Sequence, residues 1–222
     1  MRSQPALERA AATAVAYRFL AEAFRYPYNA RLQSLGELLG AVREGLEELA
    51  GKAGEAAARF ERLARAVRQA RALPPDAVMA EYTGLFISNH PQAPCRPIES
   101  VYTEGLLVGE ATEDAAAQYL RFGLQANEEQ PDHLAAELEF VAWLAARELQ
   151  AGERRGGKRS LGGSAEENRT PGDYAAARDS FRRRHLANWV PRLARDVEQA
   201  ATLSLYREAA DLLVWMVEGA GS

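Results

Sequence analysis

Apolar residues recur along most of this chain at intervals of three and four positions, the spacing that forms one buried face of an α-helix. The first predicted helix begins after Pro5 and ends near Tyr26, because Pro27 cannot continue it. Two more helices are predicted near residues 30–50 and 54–72. The buried face of the first helix is formed by Thr13, Tyr17, Leu20 and Phe24.

A proline-rich connection interrupts the helical pattern in the middle of the chain. Before it, a short helix is predicted to start at Pro74 and Pro75 and to continue to Phe86. Residues 88–98 hold three prolines in eleven positions, and each proline lacks a donor and biases its predecessor toward extended backbone. A connection of this length inside a compact domain is often functional. Beyond it, helices are predicted near residues 100–108 and 111–123.

The most apolar predicted helix follows a break at residues 124–131. Pro131 suits its first turn, and Asp132 is favourably placed against the positive end of the helix dipole. The helix ends near Gly152. A helix with such a wide apolar arc is predicted to lie centrally in the core. Its main face is formed by Leu134, Leu138, Val141, Ala145 and Leu149.

The C-terminal part combines a polar insert with two predicted helical segments. Residues 152–172 are rich in Gly, Ser and charged residues, and this composition is typical of disorder. A helix near 173–188 and an apolar connection at residues 189–191 (Trp189, Val190, Pro191) follow. The last helix carries a stripe of apolar residues: Leu203, Tyr206, Ala210, Leu213 and Val217. Residues 1–222 are therefore predicted to form one all-α globular domain.

Composition agrees with this fold class and limits the function. Of 222 residues, 47% are apolar and 26% are charged, which is ordinary for a globular protein. Glu8 and Arg9 stand where a signal peptide needs apolar residues, and no run of about 18 apolar residues occurs, so we expect a cytoplasmic protein without stable membrane insertion. Cys95 is the only cysteine, which excludes an intrachain disulfide.

Charge is segregated along the chain. Between Glu99 and Glu139 there are ten acidic residues and one basic residue, Arg121, so this segment has a net charge of −9. The whole chain has a net charge of −4, so the remaining residues sum to +5. The acidic balance argues against nucleic-acid binding, and the segregated negative charge predicts a cationic partner.

The most enzyme-like constellation is formed by Asp132, His133 and Glu137. His133 and Glu137 are four residues apart and share a helix face, which is compatible with a metal site or with acid–base catalysis. A zinc site needs three or four protein ligands, and only His90 and His185, each in a different element, are left to join. The alternative is structural, with Asp132 stabilising the helix start and with His133 and Glu137 forming hydrogen bonds across the break. We predict neither a metal site nor catalysis.

Other candidate residues flank the proline-rich connection. Tyr82, Leu85 and Phe86 share a helix face and belong either to the core or to an apolar slot with an acidic rim. Glu99 and Tyr102 form either a helix start with an anchoring aromatic or a groove whose carboxylate receives a guanidinium group. The pair Cys95 and His90 lies within the connection, where an inert cysteine is the favoured interpretation.

Five motifs resemble those of the TorD/DmsD (NarJ-like) cytoplasmic chaperones, which mature molybdenum-containing redox enzymes. They occur in the family's order and cover most of the chain after about residue 80. The motifs are EYTGLF at 81–86, PQAPCRPIESVY ending at residue 102, LLVGEAT at 106–112, QPDHLAAELEF at 130–140 and RRRHLANWVPRL at 182–193.

The resemblance implies an all-helical TorD-like fold and a non-enzymatic function: binding the twin-arginine leader peptide of a molybdoenzyme catalytic subunit, or its apo form, before cofactor loading and export. The chain departs from the family pattern at Ile98, where relatives often carry an aromatic residue. The predicted partner-binding residues are Tyr82, Leu85, Phe86, Pro97, Ile98, Glu99, Tyr102, Gly109, Asp132, His133 and Glu137.

Two further hypotheses are compatible with the sequence. GTP binding or weak hydrolysis would use Asp132 and His133, although the sequence contains no phosphate-binding loop. A chaperone of this family could also grip the folded apo-subunit and not its leader. Hinge-like breaks at 88–98 and 124–131 are compatible with a monomer or with a helix-swapped dimer.

Overall fold

A computed structural model describes residues 4–50, 54–88, 93–127, 129–154 and 169–219 of the chain. Within these ranges the backbone forms ten α-helices, and two short π-helical turns continue α4 and α8. The helices are α1 Gln4–Ala23, α2 Asn29–Ala50, α3 Gly54–Ala72, α4 Pro75–Tyr82, α5 Glu99–Thr103, α6 Glu110–Leu120, α7 Leu134–Arg154, α8 Pro171–Phe181, α9 Val190–Ala200 and α10 Ser204–Gly219; the π turns are Thr83–Ile87 and Arg182–Leu186.

The all-α prediction is confirmed. The described ranges contain no strand, and the one β-type pairing among them is an isolated antiparallel bridge between Ile98 and His133. Helix α1 packs against α7 and α2, α2 packs against α3, and α10 packs against α3 and α9, while α8 covers another side of α7. None of the described helices has the length and apolar content needed to cross a bilayer.

Helix α7 lies in the core, as its wide apolar face predicted. The side chains of Leu134, Leu138, Val141 and Ala145 are fully buried. The predicted stripe on α10 is also buried at Tyr206, Ala210, Leu213 and Val217. Because these faces meet those of α1 and α8, one continuous hydrophobic cluster runs through the protein.

Two groups of aromatic rings occupy opposite parts of this cluster. Tyr82 and Phe86 of α4 and its π turn contact Phe24, Tyr26 and Tyr206. Buried tyrosines need a partner for the hydroxyl group, and Tyr82 donates to the Phe24 carbonyl at 2.9 Å. The second group surrounds Phe140: Tyr119, Phe122, Trp143 and Phe181.

Two helices end earlier than predicted. Helix α1 ends at Ala23 and not near Tyr26, because the residue before a proline is disfavoured in helical conformation. The helix predicted at 100–108 ends at Thr103, where Gly105 adopts a φ of 73° and the Leu106 amide donates back to the Ser100 carbonyl. This is the usual way a glycine terminates a helix. Residues 106–108 are therefore exposed and irregular.

The start of α7 was also predicted wrongly. Pro131 and Asp132 lie in a turn, and the helix begins at Leu134. The Asp132 carbonyl accepts from the Glu99 amide, and the Leu134 amide donates to the Pro97 carbonyl. These backbone groups are used for pairing with the proline-rich connection, so they are not free to form a first helical turn.

Trp189–Pro191 do not form a connection between helices. Helix α9 begins at Val190, with Pro191 in its first turn, where a missing donor is harmless. The break before the last helix lies instead at Ala201–Leu203. It is held by the Glu81 carboxylate, which accepts from the backbone amides of Thr202 and Leu203.

The predicted insert at 152–172 is helical at both margins. Helix α7 continues to Arg154, and α8 begins at Pro171. Thr170 and Asp173 form a capping box that starts α8: the Thr170 hydroxyl accepts from the Asp173 amide, and the Asp173 carboxylate accepts from the Thr170 amide. The central part of the prediction, residues 155–168, lies outside the described residues.

Truncating the core face of α7 should cost far more stability than truncating an exposed leucine. We expect Leu138→Ala to lower the free energy of unfolding by about 2–5 kcal/mol, because it leaves a cavity at a fully buried site. Leu120→Ala on α6, whose side chain is 58% exposed, is the matched control and should change stability by about 0.5 kcal/mol or less. Urea unfolding followed by tryptophan fluorescence measures both, and equal effects would contradict the central placement of α7.

Candidate functional site

Backbone hydrogen bonds pair the end of the proline-rich connection with the turn before α7, and we call this pairing the joint. The Glu99 amide donates to the Asp132 carbonyl at 2.9 Å, and the Leu134 amide donates to the Pro97 carbonyl at 2.8 Å. Ile98 and His133 face each other in this pairing as the isolated β-bridge. Two segments that are far apart in sequence, including five of the predicted site residues, therefore meet at one place.

Asp132 is the polar centre of this joint and is completely buried. One carboxylate oxygen accepts from the Ser100 amide at 3.0 Å, and the other accepts from the Gln130 side chain at 2.7 Å. Ser100 lies in the first turn of α5, so Asp132 satisfies a free helical amide and places negative charge at the positive end of that helix. The structural interpretation of Asp132 holds, but the helix it stabilises is α5 and not α7.

The His133 side chain accepts a hydrogen bond from the first turn of α7. Its Nδ1 accepts from the Ala135 amide at 3.2 Å, which requires that nitrogen to be unprotonated. Burial, and then the positive charge of Arg25, lower the pKa of His133 to about 4. The imidazole is therefore neutral at physiological pH. GTP binding or hydrolysis through Asp132 and His133 stays a prediction of the sequence.

Beneath the joint lies a cluster of buried titratable side chains. Glu99, Glu137 and His185 are each at most 3% exposed. Glu99 Oε2 lies 2.8 Å from His185 Nδ1, and His185 Nε2 lies 3.0 Å from Asp114 Oδ2. Burial, and then the negative charge of Glu99, raise the pKa of Glu137 well above its usual range. We call Glu99, Glu137 and His185 the buried cluster.

A surface cleft of about 490 Å³ opens next to the joint. Its walls come from α1, α2, the end of α6, residues 124–127 and α7. Arg25 stands in this cleft with its side chain 10% exposed and pairs with three carboxylates. Although burial lowers the pKa of Arg25, its hydrogen bonds with Glu139 and Glu129 outweigh burial and raise that pKa. The three carboxylates belong to Glu22, Glu129 and Glu139.

Tyr82, Leu85 and Phe86 are buried in the first aromatic group, each at most 5% exposed. The core interpretation, one of the two alternatives from the sequence, is what the structure shows, and the apolar slot is not open. Cys95 is fully buried as well, and burial followed by the charge of Asp196 raises its pKa to about 12. It is an inert cysteine, and His90 lies outside the described residues.

Tyr102 and Gly109 have structural partners. The Tyr102 hydroxyl donates to Asp196 at 2.8 Å, and its ring lies 5.4 Å from that of Trp189. A Cβ at position 109 would collide with the Glu104 carboxylate, which accepts from the Glu110 and Ala111 amides at the start of α6. Gly109 is therefore required for close approach of that carboxylate.

The acidic segment is not one acidic surface. Glu99, Asp132 and Glu137 are buried, whereas Glu129 and Glu139 line the cleft. Sequence reasoning counted these charges correctly but could not divide them between core and surface. It missed Arg25 and Asp114 as neighbours of the site, and it named His185 only as a remaining candidate ligand in a different element.

Comparison with known proteins identifies the family. A family model described as the nitrate reductase delta subunit matches residues 46–195. The chain belongs to the nitrate reductase delta subunit family. This match confirms the predicted relationship with the NarJ- and TorD-like proteins, and it includes both sides of the joint.

Two similar proteins are informative. The selenate reductase assembly chaperone protein of Thauera selenatis is 36% identical over 90 residues, which are 40% of this chain and 39% of that protein. A crystal structure of a redox enzyme maturation protein from Archaeoglobus fulgidus superposes with a TM-score of 0.58 and 23% identity, covering 92% of this chain and 93% of the other. The second comparison supports the fold alone. The Thauera selenatis protein is described as an assembly chaperone, in agreement with the expected non-enzymatic class.

Removing the Asp132 carboxylate should destabilise the joint. We expect Asp132→Ala to lower the free energy of unfolding by about 1–3 kcal/mol, because it leaves the buried Ser100 amide without its side-chain acceptor. Chemical unfolding measures the change, with Asp76→Ala on the exposed start of α4 as the control. A loss no greater than that of the control would show that the joint does not depend on this carboxylate.

His133 should titrate far below the usual range for histidine. We expect its imidazole resonances to move with a pKa of about 4, against an ordinary value of 6.5. As the pH falls from 6.5 to about 4, the unfolded chain takes up a proton that the folded chain refuses, so stability should decrease through this window. A pH titration followed by NMR, with His133→Gln to assign the resonance, measures the pKa. Titration of His133 near 6.5 would contradict its burial.

Proposed function

We propose that the protein is a cytoplasmic chaperone for the maturation of a molybdenum-containing redox enzyme, and that it binds the twin-arginine leader of the catalytic subunit before cofactor loading. Family membership supports the general role, as do the descriptions of the two relatives as an assembly chaperone and a maturation protein. The observation that carries the more specific proposal is the convergence of three cleft carboxylates on one arginine, Arg25.

The cleft has the chemistry of a guanidinium site. Glu129 accepts from Arg25 Nε at 3.1 Å, and Glu139 accepts from Nη2 of the same side chain. Glu139 still has a side chain that is 62% exposed, so it has oxygen lone pairs available to a second arginine. Charge-assisted contacts of this kind are stronger than neutral hydrogen bonds and favour arginine over other cations. A leader arginine would join Arg25 on Glu139 or replace it there.

Apolar surface lies next to these charges. Tyr119, Phe140 and Trp143 line the cleft; Trp143 is partly exposed, whereas Tyr119 and Phe140 are each only 4% exposed. Leu106, Leu107 and Val108 are each more than half exposed, and the Leu107 carbonyl accepts from the side chain of Gln130, which follows Glu129 in the chain. A cationic head followed by an apolar stretch, which is the pattern of a twin-arginine leader, fits such a surface.

Two residues that the sequence predicted for partner binding have a supporting role in this proposal. Asp132 and Glu137 are fully buried, so they support the cleft and do not contact the peptide. Reversing their charges would place uncompensated charge in the core and disrupt folding. The useful variants therefore lie on the cleft surface.

Binding of a synthetic leader by calorimetry tests the proposal. A leader from a molybdoenzyme of the same genome should bind, and a copy with both arginines replaced by glutamine should not. Glu139→Gln should weaken binding by about twofold to fivefold, the upper part of the range of a solvent-exposed ion pair. Glu198→Gln on the exposed surface of α9 removes the same charge outside the cleft and should leave binding unchanged. Rising salt concentration should weaken binding to the wild type.

Two outcomes would contradict the proposed binding of the leader. If neither leader binds but the full apo-subunit is retained on the immobilised protein, the contact is with the folded subunit and the leader proposal is wrong. Equal affinity for the two leader peptides would show that the carboxylates of the cleft do not recognise arginine.

A further inference from the structure

The buried cluster holds three side chains that are all common metal ligands. Two are carboxylates and one is an imidazole, and one ligand atom from each lies within 4.8 Å of the others. Ligand bonds of about 2.0–2.2 Å place the ligands of a tetrahedral ion about 3.4 Å apart and opposite ligands of an octahedral ion about 4.4 Å apart, so side-chain shifts of up to about 1.4 Å would complete the set. Glu99 Oε2 and His185 Nδ1, at 2.8 Å, are already at a separation found between neighbouring ligands of one ion.

The Glu137 carboxyl group is the observation that points to a ligand. It is fully buried, and neither of its oxygens has a hydrogen-bond partner in the described part of the chain. Glu99 and the Trp189 indole are its polar neighbours, but neither stands in the position of a well-formed hydrogen bond to it. A buried carboxyl group without partners is costly and calls for an explanation.

The surroundings of His185 suit metal binding. His185 Nε2 lies 3.0 Å from Asp114, whose carboxylate also pairs with Arg184. Nδ1 is hydrogen-bonded to Glu99 Oε2 at 2.8 Å, whereas Nε2 has no aligned hydrogen-bond partner among the described residues. An ion would take the place of the hydrogen bond between Nδ1 and Glu99, and the Asp114 carboxylate would then face the ring N–H at Nε2. His185 also lies in the π turn Arg182–Leu186, and such turns occur often at functional sites.

We propose that Glu99, Glu137 and His185 bind a divalent first-row transition-metal ion. On binding, Glu137 would release its carboxyl proton to solvent, so that two carboxylates balance the charge of such an ion and the imidazole supplies the third bond. Oxygen and imidazole ligands without a thiolate favour Zn²⁺, Fe²⁺ or Mn²⁺ over Cu⁺. The ion would join α5, α7 and the π turn after α8 directly beneath the joint. This inference does not depend on leader binding and goes beyond the proposed chaperone role.

Titration of the tag-free full-length protein with Co²⁺ tests the site. After removal of metals with a chelator and desalting, we expect one Co²⁺ to bind per chain, with ligand-field absorption that added Zn²⁺ displaces. Glu137→Gln keeps the shape of the side chain and removes the ligand charge, so it should weaken binding by at least about 100-fold. Asp114→Asn should weaken binding by about 10- to 100-fold, because it removes the carboxylate partner of His185.

Controls separate metal binding from misfolding. Glu198→Gln should bind Co²⁺ like the wild type, and circular dichroism checks that each variant is folded. In the wild type, Zn²⁺ should shift the ¹⁵N resonance of His185 Nδ1 while Nε2 keeps its proton, a measurement that needs no variant. The proposal is overturned if the wild type shows no saturable binding, if Glu137→Gln binds as tightly as the wild type, or if His185 does not respond.

Discussion

The rest of the structure depends on the backbone pairing between the proline-rich connection and the turn before α7. Prolines deprive the connection of its own amide donors, and so it cannot form a helix that satisfies itself. The Pro97 carbonyl and the Glu99 amide pair with Leu134 and Asp132, and the buried Asp132 carboxylate accepts from the Ser100 amide. Buried backbone groups must find partners, which makes this joint obligatory and not incidental. It fixes where α5 begins, where α7 begins and where Glu99 points.

Charge burial is the second constraint, and it follows from the first. The joint carries Glu99 into the interior, where it meets Glu137 and His185. Burial, and then repulsion from the nearby negative charge of Glu99, raise the pKa of Glu137. Several carboxyl groups of the acidic segment therefore lie in the interior, although the net charge of that segment had predicted an acidic surface. Recognition of a cationic partner falls instead to the fewer carboxylates around Arg25, chiefly Glu129 and Glu139.

The cleft and the buried cluster lie on two sides of the same joint. His133 connects them, because its pKa responds to Arg25 in the cleft and its carbonyl accepts from the Glu137 amide.

The sequence by itself determined the helical class, the central position of α7 and the burial of the α10 stripe, because periodicity records which face of a helix leaves water. Motifs such as QPDHLAAELEF also indicated the family, and the sequence identified Asp132, His133 and Glu99 as candidate site residues. Helix ends were less well predicted: Pro131 looked like a first helical turn, yet backbone pairing with Pro97 and Glu99 prevented one.

Tertiary structure alone decided which acidic residues are buried, that Arg25 stands among three carboxylates, and that His185 meets Glu99 and Glu137. The physical reason is that these contacts join helices separated by long stretches of chain. Local periodicity contains no information about which helices become neighbours.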